Sequence, residues 1–192
     1  MARKAIFCLE GLWNENLRDR MTVRYMLELV ERRNRVPFIH RTTGTVPELE
    51  FYLSKWTQSR YDNYRILYFA YHGKPGQIQF GKEGYTLDQL SRVLWGQCGN
   101  SIIIFSSCST LDIDLRRIKR FIRESNALAV CGYRVDVDWM KSYAFELLLM
   151  SAMQDNEFSG RGIQAIKNRI HREIGTLARE LKFHMVTKRE LI

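Results

Sequence analysis

Two short segments carry the side chains with the most specific chemistry. In Tyr71-His72-Gly73 an imidazole stands directly before a glycine at the end of an apolar run, and in Ser106-Ser107-Cys108-Ser109 a thiol closes another such run. An imidazole beside a thiol takes its proton, and the thiolate so formed is the nucleophile that attacks a carbonyl carbon. The backbone N–H groups of Gly73 and Cys108 are candidates to receive the resulting oxyanion, because Gly73 has no side chain to block approach and the chain beyond Cys108 feeds a helix.

The pair acts only if the elements carrying it bring it together. Residues 5–9, 36–40, 65–71, 101–105 and 127–132 are short apolar runs of the kind that form strands buried on both faces. Helical patterns separate them. The first is expected over 17–33, with Leu17, Met21, Tyr25 and Leu29 as an inward stripe beside Met26 and Val30. Pro47 and Glu48 after Thr45 mark a second start, running to about residue 59. Thr86 and Gln89 form a capping box for a third, and Asp114 and Asp138 cap the fourth and fifth. Residues 78–80 suit a small hairpin arm. Ile163, Ile166, Ile170, Ile174, Leu177 and Leu181 predict a terminal amphipathic helix over 160–183.

Strands alternating with helices in this way predict one α/β domain over residues 1–192. The expected architecture is a flavodoxin-like three-layer sandwich, its sheet mostly parallel, of about five to six strands ordered 2-1-3-4-5. All parallel strands then end at one edge, where such proteins bind their ligands. Glu10, His72-Gly73, Ser107-Cys108, and Arg134 with Asp136 and Asp138 follow the successive strand ends. Neighbouring strands lie about 5 Å apart, which brings His72 and Cys108 within side-chain reach. Glu10, Ser106, Asp136 and Asp138 are the expected substrate pocket, with the carboxylates placed to pair with a substrate Arg or Lys. Arg134 competes for either aspartate, Asp138 also reads as a helix cap, and Asp136 also reads as a surface turn.

Composition narrows the classes. The chain has 192 residues, 45% of them hydrophobic and only three Pro, which excludes a disordered or Pro-rich linker protein. No apolar run approaches the roughly 18 residues of a membrane span, and the stretch after Met1-Ala2-Arg3-Lys4 is broken at Glu10, so neither a signal peptide nor a membrane anchor is expected. Four Cys without a C-x-x-C pair suggest a reducing, cytoplasmic setting. Cys8 and Cys131 sit inside strands as core residues, and Cys98 lies in a helix-end loop. His40 reads as a packing or surface residue. His171 and His184 have no ligand partner at suitable spacing, so no metal and no cofactor are expected, and no Gly-rich phosphate loop follows any strand. A net charge of +9 gathers on outward helix faces such as Arg116 to Arg123 and Lys167 to Arg179. This basic surface supports a second reading, a non-catalytic module contacting nucleic acid or an acidic protein.

The run Tyr68-Phe69-Ala70-Tyr71-His72-Gly73, followed by Ile103-Ile104-Phe105-Ser106-Ser107-Cys108-Ser109, resembles the His-Gly and Cys motifs of the caspase-like (clan CD) cysteine peptidases, in particular their CHAT domains. Val130-Cys131-Gly132-Tyr133-Arg134-Val135-Asp136 is similar to the CHAT segment that follows the nucleophile, and the resemblance spans about residues 3 to 153. It implies a caspase-like fold and a peptidase in which His72 is the acid/base, Cys108 forms the acyl-enzyme, and the amides of Gly73 and Cys108 hold the oxyanion. It also implies a protein substrate, a regulatory or activating protein in trans, and a role in bacterial defence or cell death. Ser106 stands where the aspartate-specific members carry Gln, so aspartate specificity is not expected.

Overall fold

The computed structural model describes residues 3–16 and 18–191. Its central sheet has six strands in the order β2-β1-β3-β7-β8-β9, formed by β1 (Ile6–Glu10), β2 (Phe38–Thr42), β3 (Ile66–Ala70), β7 (Ile102–Ser106), β8 (Ala129–Tyr133) and β9 (Phe183–Thr187). The first five are parallel and β9 runs antiparallel at the edge. Counted along the chain, the parallel strands take the order 2-1-3-4-5. The expected arm is larger than a hairpin, an antiparallel sheet of β4 (Gly73–Lys74), β5 (Gln77–Phe80) and β6 (Glu83–Thr86).

Alternation along each strand divides the core. Ile6, Cys8, Tyr68, Ile104 and Cys131 face one layer, packed by α1 (Arg24–Asn34), α5 (Trp139–Gln154) and α6 (Gly160–Glu180). Phe7, Leu9, Phe69, Phe105 and Val130 face the other, packed by α2 (Val46–Trp56), α3 (Leu87–Val93) and α4 (Leu115–Ser125). Both sheet faces are therefore covered, as continuous apolar strands require. Thr45 with Glu48 and Thr86 with Gln89 form full capping boxes, and Asp114 and Asp138 accept helix-start N–H groups. Among the described residues no helix is long and apolar enough to cross a membrane.

Two helical expectations need correction. The helix expected over 17–33 forms only from Arg24, and Leu17 lies outside the described residues. Its expected inward stripe faces out: Met21, Tyr25 and Leu29 are exposed, while Val23, Met26, Leu27 and Val30 are buried. Two apolar periodicities overlap in this segment. Glu10 selects one by accepting from the Thr22 hydroxyl at 2.6 Å and the Val23 N–H at 2.8 Å, which fixes where the helix begins and which way it turns. The helix expected over 160–183 ends at Glu180. Lys182 then turns the chain with φ +48, and the following residues pair with β8 instead of continuing the helix.

Candidate functional site

Register places the two reactive segments together. Glu10 is level with Ala70, and Ala70 with Ser106, so β1, β3 and β7 end at one edge. His72 and Cys108 each follow two residues past the Ala70–Ser106 pair, on strands that are direct neighbours. Both side chains line one small cleft of about 50 Å³, His72 exposed and Cys108 half-buried.

The loop after β1 orients His72. Gly11 N–H donates to Ala70 O at 2.8 Å, extending the β1–β3 ladder by one residue, and a Cβ at Gly11 would stand 2.5 Å from the Tyr71 ring. Only glycine passes there without displacing Tyr71. Two residues later the Trp13 carbonyl lies 2.8 Å from His72 Nε2. A carbonyl can only accept, so Nε2 carries the proton and Nδ1 keeps the lone pair that a general base needs. The Trp13 ring also meets His72 edge to face, with centroids 5.3 Å apart, and packs against Trp139 at 4.7 Å.

Cys108 is held from two sides. On one, Gly73 approaches so closely that an added Cβ would stand 2.3 Å from Cys108 O and from Thr110 Oγ1. On the other, the loop after β8 supplies Val137 N–H to Cys108 Sγ at 3.5 Å. Ser109 takes the left-handed φ of +55, uncommon for a non-glycine residue. It is fixed there by its N–H to Val135 O at 3.0 Å and its hydroxyl to Asp136 Oδ1 at 2.8 Å. Among the described residues Cys108 N–H has no internal acceptor. Gly73 lies opposite Ile78, and the adjacent Gln79–His72 pair carries the ladder bond at 2.9 Å. In an antiparallel ladder the next pair is then not hydrogen-bonded, so Gly73 N–H turns away from β5.

The expected pocket is brought together only in part. Ser106 lines the cleft, but its hydroxyl donates backwards to Glu146 at 3.1 Å. Glu10 is buried behind Trp13, accepting from Trp13 Nε1, His40 Nε2, Thr22 and Val23. Burial alone pushes the Glu10 carboxyl up, but these hydrogen bonds, led by that from His40, hold it below the usual carboxylate range. His40 is thus a packing residue with a defined partner. Asp136 holds Ser109, and Asp138 caps α5 by accepting Lys141 N–H at 2.9 Å. Arg134 pairs instead with Asp112 at 3.6 Å. None of the three expected carboxylates lines the cleft, because each serves an internal donor.

Side chains not singled out in the sequence complete the walls. Trp13, Trp139 and Tyr143 form one aromatic side, with the Tyr143 hydroxyl donating to Thr22 O at 2.6 Å. Behind Ser106, Glu146 is fully buried and accepts from the Tyr68, Tyr133 and Ser106 hydroxyls, with burial pushing its carboxyl up despite these donors. Cys8, Cys98 and Cys131 are buried and free. Burial pushes the Cys98 thiol up to about 12, and the Cys8 and Cys131 thiols upward as well, leaving Cys108 as the accessible thiol among the four. Among the described residues no three His, Cys, Asp or Glu side chains gather as metal ligands.

Fold and cleft together define a three-layer α/β protein with a histidine and a cysteine at the carboxyl ends of adjacent parallel strands. The chain belongs to DUF6642, a family of unknown function, whose model matches residues 3–186. That span takes in the whole cleft. None of the curated proteins compared with the chain matches it.

Proposed function

We propose that this protein is a cysteine endopeptidase that cleaves a protein partner through an acyl-enzyme on Cys108. The observation that carries the reading is that Cys108 and His72 share one cleft while the Trp13 carbonyl holds His72 in the tautomer with Nδ1 free. His72 Nδ1 takes the thiol proton as sulfur bonds to the scissile carbonyl carbon, and the carbonyl oxygen takes the negative charge against the Gly73 and Cys108 amides. As the C–N bond breaks, His72 gives its proton to the departing amine. Water, deprotonated by His72, then attacks the thioester, releasing the new carboxyl terminus and restoring the thiol.

The cleft of about 50 Å³ is too small for a bulky peptide side chain, so part of its aromatic wall of Trp13, Trp139 and Tyr143 has to move before a substrate enters. The same volume favours a second reading, a binding module whose dyad does no chemistry. Iodoacetamide separates the two. For a peptidase, Cys108 labels far faster than Cys8, Cys98 and Cys131 and slows in His72→Ala; uniformly slow labelling supports the module. On a fluorogenic peptide panel, Cys108→Ala and His72→Ala should each lower kcat/KM by about a thousandfold or more without unfolding the chain. Turnover surviving in Cys108→Ala overturns the proposal.

A further inference from the structure

A second cavity opens at the same sheet edge, beyond β8, where α6 and the start of β9 meet the loop after β8. Its volume is about 520 Å³, within the roughly 300–1,000 Å³ of small-molecule sites. Arg134, Lys167, Arg179 and Lys182 line it together with His171 and His184, and no carboxylate does. The carboxylate partners of Arg134 and Lys167, Asp112 and Glu190, do not line the cavity. Among the described residues Arg179 and Lys182 pair with no carboxylate, and Arg179 reaches only the Thr176 hydroxyl at 3.3 Å. Arg179 and Lys182 thus face one open space with their charge unneutralised, a place that attracts an anion.

Two further features bear on the ligand. His184 lines the cavity, and its Nδ1, shielded from water, has no hydrogen-bond partner among the described residues. Burial, with Arg134 and Lys167 nearby, keeps the His184 imidazole below its ordinary value. The rest of the wall is apolar, from Ile170 and Ala178 to Phe183 and Met185, which suits a ligand with a flat uncharged part as well as a charged one.

We infer that this cavity binds an organic phosphate of nucleotide type, with phosphate oxygens on Arg134, Lys167, Arg179 and Lys182 and the ring system against Phe183. His171 and His184, thirteen residues apart in the chain, serve here as donors to an anion and not as metal ligands. The site is independent of Cys108 chemistry, so Cys108→Ala should bind equally well.

Calorimetric titration of the full chain with ATP, tripolyphosphate and adenosine tests the inference. ATP is expected to bind, adenosine to give no heat, and tripolyphosphate to bind more weakly than ATP. Arg179→Ala and Lys182→Ala, both at solvent-facing positions with unchanged melting expected, should each weaken ATP by about tenfold. Absence of ATP binding at millimolar concentration, or undiminished binding in the double variant, overturns the site. Tripolyphosphate binding as tightly as ATP removes the organic half of the assignment. A single-stranded RNA that binds where ATP does not would make this surface a nucleic-acid face instead.

Discussion

Glu10 at the end of β1 and Glu146 in the middle of α5 are both buried, and each braces one wall of the cleft: Glu10 holds Trp13, and Glu146 holds Ser106. Their surroundings differ. Glu10 accepts from an imidazole, an indole, a hydroxyl and a backbone N–H, and these hold its carboxyl ionised although burial opposes the charge. Glu146 has only the hydroxyls of Tyr68, Tyr133 and Ser106, deep in the layer between sheet and α5, and burial wins. The same residue type is thus a charged brace on the His72 side and a carboxyl displaced towards its neutral form on the Cys108 side. The number and kind of donors decide this, since both carboxyls are shielded from water.

The isosteric pair Glu10→Gln and Glu146→Gln puts that contrast to its hardest test. An amide at Glu10 loses the negative charge to which four donors point and adds two N–H groups facing them, for an expected loss of about 2–3 kcal/mol in urea denaturation. At Glu146 an amide replaces a carboxyl already inclined to be neutral, and the expected loss is below about 1 kcal/mol. Equal losses at the two positions would mean that both carboxyls are ionised alike. Glu10→Gln should also slow iodoacetamide labelling of Cys108, because Trp13 and through it His72 lose their anchor.

How much of this was legible beforehand follows from where the information sits. His72 and Cys108 stood out because apolar runs end at each, and parallel strands necessarily end at one edge. Trp13 did not, since its hydrogen bond to His72 runs through a backbone carbonyl that any residue type would offer. Glu146 lies between Phe145 and Leu147 on a helix that is apolar on most sides, and from sequence a lone charge there reads as solvent-facing. Glu10, Asp136 and Asp138 follow strand ends as expected, but sequence order does not reveal that internal donors had already claimed their oxygens. At β9, Phe183 to Thr187 follows the helix with neither Gly nor Pro between them; the left-handed turn falls on Lys182, a residue that seldom marks one.

Trp13 offers a smaller but more direct handle on the wall that Glu10 braces. Trp13→Ala removes edge-to-face contacts with His72 and Trp139 and the indole donor to Glu10, and because Trp13 is only half-buried a loss of about 2 kcal/mol is expected. The cleft should open at the same time. Iodoacetamide labelling of Cys108 should therefore speed up despite the loss of stability; labelling that slows would mean that Trp13 serves chiefly to hold the loop whose carbonyl orients His72. Trp13→Phe keeps an aromatic ring in the wall but loses the indole N–H to Glu10 and part of the ring area, so it should reproduce the stability loss in part and open the cleft less than Trp13→Ala.

The smallest effect expected is the dependence of stability on pH, and here the two carboxyls should pull in opposite directions. Glu10 has a folded value below the ordinary 4.5, so its contribution is present above that pH and is lost as pH falls through the folded value. Glu146 has a folded value above 4.5, so its contribution is complete below 4.5 and is lost as pH rises through the folded value. Denaturation of wild type, Glu10→Gln and Glu146→Gln from about pH 2 to about pH 8 isolates the two, because each variant lacks one titration. The advantage of wild type over Glu146→Gln should shrink as pH rises and then level off, while its advantage over Glu10→Gln should shrink only at the acid end. Parallel curves would place both carboxyls in the same charge state, leaving Ser106 and Trp13 braced by the same kind of interaction and the two walls of the cleft electrostatically alike.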